Sequence, residues 1–404
     1  MTDFGKAFLG AHASRRRFLG GVGAAALTPL IGTLAAPAIA RAQGAPFKLG
    51  VLLPFSGGLE LFAEQGMQGV QMAVDEYNAD GGVLGRQIEI VQADDKTDPR
   101  TAVERATQLI RRDQVNAIVG PVTSANRDAI KSTIERGETP LLYATDYEGG
   151  VCSPWIACYS PVPAHFVEPL IPFLIETKGA KNVYLFGADY TWPQKMNAAI
   201  RTKLEASGAK VAGEEYTPFG AKDFAPTLRK IEESGADFVI LTLPGADGVT
   251  FVKQMASSGL KDKVGISFLG FNENYLPGFS GKEAEGIIAP LPFMQTLDRP
   301  EAKDFVAKQL AKFGEKTRVT YYADSHYNLT RFYLNAVKKA GTDDKKAIME
   351  ALPGQTLMSG NGEVTLRAED RHVDLNILIA SVQNGALAME KYIGKVIAPN
   401  QCTT

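Results

Sequence analysis

Short apolar strands alternate with amphipathic helices along this chain, in two separate runs divided by proline-rich stretches. The first run opens with an apolar strand over residues 48–53. Met67, Val70, Val74 and Tyr77 then recur at helical spacing within a helix over about 61–78. Asp80-Gly81-Gly82 ends that helix, and Gly85-Arg86 turns into a strand over 87–92. Asp98 reads as an N-cap with Pro99 at the first helical position, opening a helix to about 112. A buried strand at 117–119, a helix at 124–136 and a strand at 140–143 follow. Repeated strand–helix units imply a parallel sheet with helices on both faces. Tyr159-Ser160-Pro161-Val162-Pro163 breaks the pattern, which then restarts. A helix over 166–177, in spite of two prolines, precedes a strand at 182–186 and helices at 194–206 and 225–234. A strand at 238–243, a helix at 248–257 and a strand at 265–269 complete the series. Ala289-Pro290-Leu291-Pro292 marks another crossing, followed by helices at about 300–312, 323–340 and 345–351. The last strands, 376–382 and 389–393, flank the turn at Asn384-Gly385. The expected fold is α/β, with two doubly wound parallel-sheet lobes. Residues 46–161 plus 291–368 form the first, 162–290 plus 369–396 the second, and 397–404 a tail. A chain of 404 residues is too long for one ordinary core, which agrees with two lobes.

The N-terminus narrows where such a protein works. Ser14-Arg15-Arg16-Arg17-Phe18-Leu19-Gly20 carries a paired arginine ahead of a Gly/Ala-rich apolar stretch. Small residues occupy A-x-A positions at Ala38/Ala40 or Ala40/Ala42. Residues 1–42 therefore read as a twin-arginine signal peptide for export to the periplasm, with a membrane anchor as the alternative. These residues carry five basic groups and one acid, so a chain of net charge −2 leaves a mature protein of −6. A mildly acidic surface lacks a phosphate-neutralising patch, which argues against nucleic acid as a partner. Three cysteines remain: Cys152, Cys158 and Cys402. In an oxidising compartment Cys152 and Cys158 could close a short loop as a disulfide, or they could be two buried thiols. Cys402 is given no role. A twin-arginine passenger crosses the membrane folded, so a disulfide would be added to a fold already formed.

Catalytic patterns are missing. The four histidines, His12, His165, His326 and His372, show no metal-ligand spacing. There is no Gly-x-Ser-x-Gly elbow, no phosphate-binding loop and no Gly-x-Gly-x-x-Gly after a strand. The expectation is a protein that is not an enzyme and needs no cofactor.

Ligands of doubly wound sheets bind beyond the carboxyl ends of the strands. After 117–119 comes Gly120-Pro121-Val122-Thr123-Ser124, where Ser124 and the backbone N–H groups of a helix start suit a carboxylate or carbonyl oxygen. Ser124 could equally be the helix N-cap. The other strand ends lead into Ala144-Thr145-Asp146-Tyr147-Glu148, Asp189-Tyr190-Thr191-Trp192, Pro244-Gly245-Ala246-Asp247 and Gly270-Phe271-Asn272-Glu273. These loops hold aromatics and carboxylates but no Lys or Arg. They predict a small ligand with N–H donors, an amine or an amide, because a phosphate would need the opposite sign. Each charge-assisted hydrogen bond there contributes about 1.5–3 kcal/mol. For Asp146 and Glu148 turn chemistry is the competing role. Arg127 is expected to pair with a surface acid.

Several of these stretches carry a resemblance. Asn78-Ala79-Asp80-Gly81-Gly82-Val83-Leu84-Gly85-Arg86 resembles a turn of type I periplasmic binding proteins of ABC importers. Tyr143-Ala144-Thr145-Asp146-Tyr147-Glu148-Gly149, Asp189-Tyr190-Thr191-Trp192-Pro193 and Glu215-Tyr216-Thr217-Pro218-Phe219-Gly220 are similar to the branch binding urea and short-chain amides. The resemblance implies two lobes hinged by three crossings, a solute trapped as they close, and delivery to an ABC permease and ATPase complex. It also implies that Ser124, Tyr143 and Thr145 hold the solute from the first lobe, while Tyr190 and Trp192 cover it from the second. Ala144 and Tyr147 join that set. In the related branched-chain amino-acid binders a serine and an Ala/Thr step serve the α-amino acid, which Ser124 and Ala144-Thr145 also fit. Asp247 or Glu273 is then the candidate ammonium partner. Trp192 and Asp146 depart from the amide and urea pattern and favour an amino acid or a larger amide over urea. The protein is expected to be a monomer, with a sensor subunit signalling to a membrane receptor as the alternative role.

Overall fold

In the computed structural model, which describes residues 44–403, the first run folds as a five-stranded parallel sheet. The signal read over 1–42 lies outside the described residues. The elements are β1 (Phe47–Leu53), α1 (Glu60–Ala79), β2 (Ile88–Asp94), α2 (Pro99–Arg111), β3 (Ala117–Val119), α3 (Ser124–Arg136), β4 (Leu141–Tyr143) and β5 (Ile156–Cys158). Strand order is β2-β1-β3-β4-β5, so the winding reverses between β1 and β3. Alternation along β1 shows why both faces are covered. Leu49, Val51 and Leu53 enter the core beneath α1, whereas Leu52 enters the core beneath α2 and α3. Asp98 caps α2 as the sequence predicts: its Oδ1 accepts the Thr101 N–H at 2.7 Å.

The second run supplies α4 (Pro163–Lys178), β6 (Asn182–Ala188), α5 (Thr191–Ala206), β7 (Lys210–Thr217), α6 (Ala225–Glu233), β8 (Phe238–Thr242), α7 (Ala246–Ser257), β9 (Gly265–Phe268) and β10 (Ile288–Leu291). Then come α8 (Pro300–Phe313), α9 (Tyr321–Ala340), α10 (Lys345–Ala351), the hairpin β11 (Thr356–Ser359) and β12 (Gly362–Thr365), and finally β13 (Leu375–Gln383) and β14 (Ala386–Val396). The second sheet has seven strands in the order β14-β13-β10-β9-β8-β6-β7. Its winding reverses between β6 and β8. The fold class is α/β with parallel-sheet lobes, but β13 and β14 run antiparallel at one edge and make this sheet mixed. α9 returns to the first sheet and lies along α1. Tyr77 Oη donates to Asn335 Oδ1 at 2.5 Å and Tyr327 Oη to a Glu76 carboxylate oxygen at 2.6 Å.

Several elements depart from the sequence reading. It lacks β5, β7 and the hairpin β11–β12, because none stands out as an apolar run: β7 is half-exposed along nearly its whole length, β5 has three residues, and β11 and β12 have four residues each with exposed positions among them. The stretch 289–292, read as a crossing, is mostly β10. β10 pairs with β9 only at Ile288↔Ser267, so beyond that residue it is a free edge on that side, where Pro290 is tolerated.

The cysteine pairing also differs. Cys152 is bonded to Cys402, with 4.9 Å between Cα atoms, and not to Cys158. Cys158 is the last residue of β5 and its side chain lies in the core with Tyr147 and Phe166. Burial pushes its thiol up to about 12. A strand residue turned into the core cannot reach a partner on the surface loop, whereas the C-terminal tail passes beside that loop. Arg367 holds the tail there, donating to the Ala398 carbonyl at 2.5 Å, while Asp370 accepts the Gln401 N–H at 2.9 Å.

Candidate functional site

The carboxyl ends of the strands flanking both winding reversals face one cavity. Its wall on the side of the first sheet is Leu59 and Phe62 at the start of α1, Val122, Thr123 and Ser124 after β3, Thr145 and Asp146 after β4, and Tyr322 on α9. On the side of the second sheet it is Tyr190 and Trp192 after β6, Pro244 after β8, and Gly270 and Tyr275 after β9. The cavity has about 390 Å³ of unfilled space, part of it open to solvent.

The β3–α3 loop is held by its backbone and by Tyr143. Gly120 has φ +111°, and a β-carbon there would stand 2.0 Å from the Leu52 carbonyl oxygen, so only glycine fits. The N-cap of α3 is Thr123, whose hydroxyl accepts the Asn126 N–H at 3.2 Å, and not Ser124. Ser124 is thereby released from capping, and its hydroxyl donates to Glu148 Oε2 at 2.5 Å. Tyr143 Oη donates to the Val122 carbonyl at 2.9 Å and braces the same loop from behind.

Behind that wall is a buried ionic layer. Arg127, 2 % exposed, donates to Glu148 Oε1 at 2.7 Å and to Asp128 at 2.9 Å. Its guanidinium lies 5.0 Å from the Tyr143 ring centroid and 4.6 Å from that of Tyr147. Thus the arginine expected to meet a surface acid meets one, Asp128, and a half-buried one, Glu148. Tyr147 Oη lies 2.5 Å from His372 Nε2 on the third passage of chain between the two sheets.

Four of the nine residues named from sequence line the cavity: Ser124, Thr145, Tyr190 and Trp192. Tyr143 and Tyr147 stand one layer behind, and Ala144 is fully buried in the core under α1. Asp247 opens onto a neighbouring groove lined by Gly57, Gly58 and Phe219, and its Oδ2 accepts the Gly220 N–H at 2.7 Å. Glu273 is turned away: its Oε1 accepts the Gln295 N–H at 2.5 Å, and burial pushes its carboxyl up to about 7. Phe62, Tyr275 and Tyr322 escape a search confined to strand ends, because each sits in a helical turn that the fold swings into the cleft. The adjacent tyrosines 321 and 322 at a helix start were the available signal.

The aromatic walls are ordered. Tyr190 stacks between Trp192 and Phe219, with centroids 6.4 and 5.2 Å away, and Phe62 meets Tyr322 edge-on at 4.8 Å. Two buried polar atoms on the cavity-lining residues have no protein partner: Thr145 Oγ1, an acceptor and donor, and Trp192 Nε1, a donor. Buried groups of this kind carry a cost of about 1–3 kcal/mol. Among the described residues no group of histidines, cysteines and carboxylates is arranged to hold a metal ion, and no helix is long and apolar enough to cross a membrane.

Two doubly wound sheets facing one cavity define a class, and the chain belongs to it: the periplasmic binding protein family model matches residues 46–386. Its members are substrate-binding proteins of transport, not enzymes, and they work in the periplasm. Leu/Ile/Val-binding protein homolog 6 of Brucella melitensis is 26 % identical over 346 residues, 83 % of this chain and 87 % of that one. An ABC transporter substrate-binding protein from Sphaerobacter thermophilus superposes with a TM-score of 0.77 at 25 % identity, covering 88 % of this chain and 98 % of its own. The branched-chain amino acid transporter substrate-binding protein of Streptococcus pneumoniae, in complex with isoleucine, shares the fold with a TM-score of 0.78 at 23 % identity, covering 87 % and 100 %.

Proposed function

We propose that this protein captures a small amino acid, amide or urea-like solute between its lobes and delivers it to the permease of an ABC importer. The observation that carries the reading is the cavity itself, walled from both sheets, with Thr145 Oγ1 and Trp192 Nε1 left without protein partners. A solute touching both walls is fully bound only when they are closed, so binding shifts the population toward closure. Ser124 and Thr145 orient the solute from the first lobe; Tyr190 and Trp192 cover it from the second. Tyr143, Ala144 and Tyr147 shape and brace the first wall, and the loop bearing Asp247 borders its mouth. The paired arginines at Arg15-Arg16 direct the folded chain to the periplasm through the twin-arginine route.

The test is a thermal-shift screen of amino acids, amides and urea on the mature protein, followed by calorimetry on the hits. A solute far above its dissociation constant raises the melting temperature. Trp192→Ala should weaken binding at least tenfold while the far-ultraviolet spectrum stays that of the wild type. Unchanged affinity would remove Trp192 from the site.

A further inference from the structure

Among the residues lining the cavity there is one carboxylate and no lysine or arginine. Asp146 is 6 % exposed, and among the described residues it makes no ion pair. Arg127, the buried cation of the layer behind, is engaged by Glu148 and Asp128. Asp146 Oδ1 accepts the hydroxyls of Tyr321 at 3.0 Å and Tyr322 at 2.5 Å, both from the first turn of α9. Asp146 Oδ2 looks across the cleft: a β-carbon built on Gly270, from the second sheet, would lie 3.9 Å from it and from both tyrosine oxygens. Burial raises the carboxyl above the ordinary aspartate range, and the two hydroxyls pull it partly back. A buried carboxylate without a cation is costly, and a cationic solute supplies what the protein omits. The other polar groups on the lining residues are of a different kind. Trp192 Nε1 offers an N–H, Thr145 Oγ1 can donate, and α3 begins at Ser124 with its N-terminal amides. The rings of Phe62, Tyr190 and Tyr275 line the same cavity and suit an apolar part of the solute.

We infer that Asp146, held by Tyr321 and Tyr322, seats the protonated nitrogen of the solute, and that Thr145, Trp192 and the start of α3 take a carboxylate or carboxamide oxygen at its other end. The ligand class is therefore an amine-bearing acid or amide, and not a simple carboxylic acid. The nitrogen is read from the first lobe by Asp146, in place of Asp247 or Glu273, whose carboxylates point elsewhere. This rests on the capture reading given above.

The test uses pairs that differ only in the amino group: leucine and 4-methylpentanoate, phenylalanine and 3-phenylpropanoate, 4-(aminomethyl)benzoate and 4-methylbenzoate. Calorimetry on the mature wild type should find the amine-bearing member of at least one pair bound tenfold or more tighter than its counterpart. Asp146→Asn should abolish that preference, and Tyr322→Phe, which keeps the ring and the carboxylate, should reduce it several-fold with the melting temperature of the unliganded protein little changed. Equal or tighter binding of the amine-free members overturns the inference and leaves solute capture standing. A preference that survives Asp146→Asn overturns the assignment to this residue. A wild type blind to all six compounds overturns the inference as well, and blindness to the whole screen of amino acids, amides and urea would take the capture reading with it.

Discussion

Two carboxylates close together in sequence logic, Asp146 and Glu273, end in opposite situations. Asp146 faces the cavity and is held by phenol hydroxyls; Glu273 is enclosed beside Gln295. Glu273 is protonated at higher pH when folded, about 7, than in the unfolded chain. The folded state therefore binds the extra proton between the unfolded carboxylate range and pH 7. Stability from this group is fully present below about pH 4 and is lost as pH rises through 7. Glu273→Gln should consequently gain stability relative to wild type by on the order of 1–3 kcal/mol at pH 8, and by little at pH 4.5. Urea denaturation at the two pH values measures the difference. His165 and His326 act in the other direction. Burial holds them at about 3 and about 4, so the unfolded chain takes up their protons first as pH falls below 6.5.

At the scale of elements, the site depends on how loops leave strands. β3 has three residues, and the turn after it must bring Ser124 to the cavity wall within five positions. Gly120 makes this possible by passing under the Leu52 carbonyl at a φ no side chain adopts comfortably. Gly120→Ala should destabilise the fold by about 1–3 kcal/mol and, by displacing the loop, weaken solute binding more than it weakens the fold. Denaturation and calorimetry on the same preparation separate the two effects. Helix α4 behaves differently from a naive reading. Pro163 occupies its first position, where no N–H is needed, and His165 Nδ1 accepts the Val162 N–H at 3.0 Å. The helix therefore starts three residues earlier than hydrophobic spacing indicates, and it continues through Pro169 and Pro172.

For the whole molecule, the disulfide is the feature with the widest reach. It joins the loop after β4 to the tail after β14, across 250 residues of sequence. A cross-link over so long a loop restricts the unfolded chain, and removing it should cost about 2–5 kcal/mol. Cys402→Ser should show that loss in guanidinium melts. Reducing agent should bring the wild type down to the variant and leave the variant unchanged, while folded Cys158 resists alkylation. Sequence alone determined the strand–helix rhythm, the two windings and the class of loop that faces a ligand, because these follow from local periodicity and from where parallel strands must end. It named Ser124, Thr145, Tyr190 and Trp192, which follow such strands directly. Tertiary structure alone decided what long-range contact decides. It brought Tyr321 and Tyr322 onto Asp146 from about 175 residues away. It turned Glu273 aside, and it placed Cys402 rather than the near neighbour Cys158 beside Cys152. Spacing along a chain limits which residues can meet, but burial and the path of the backbone select among them.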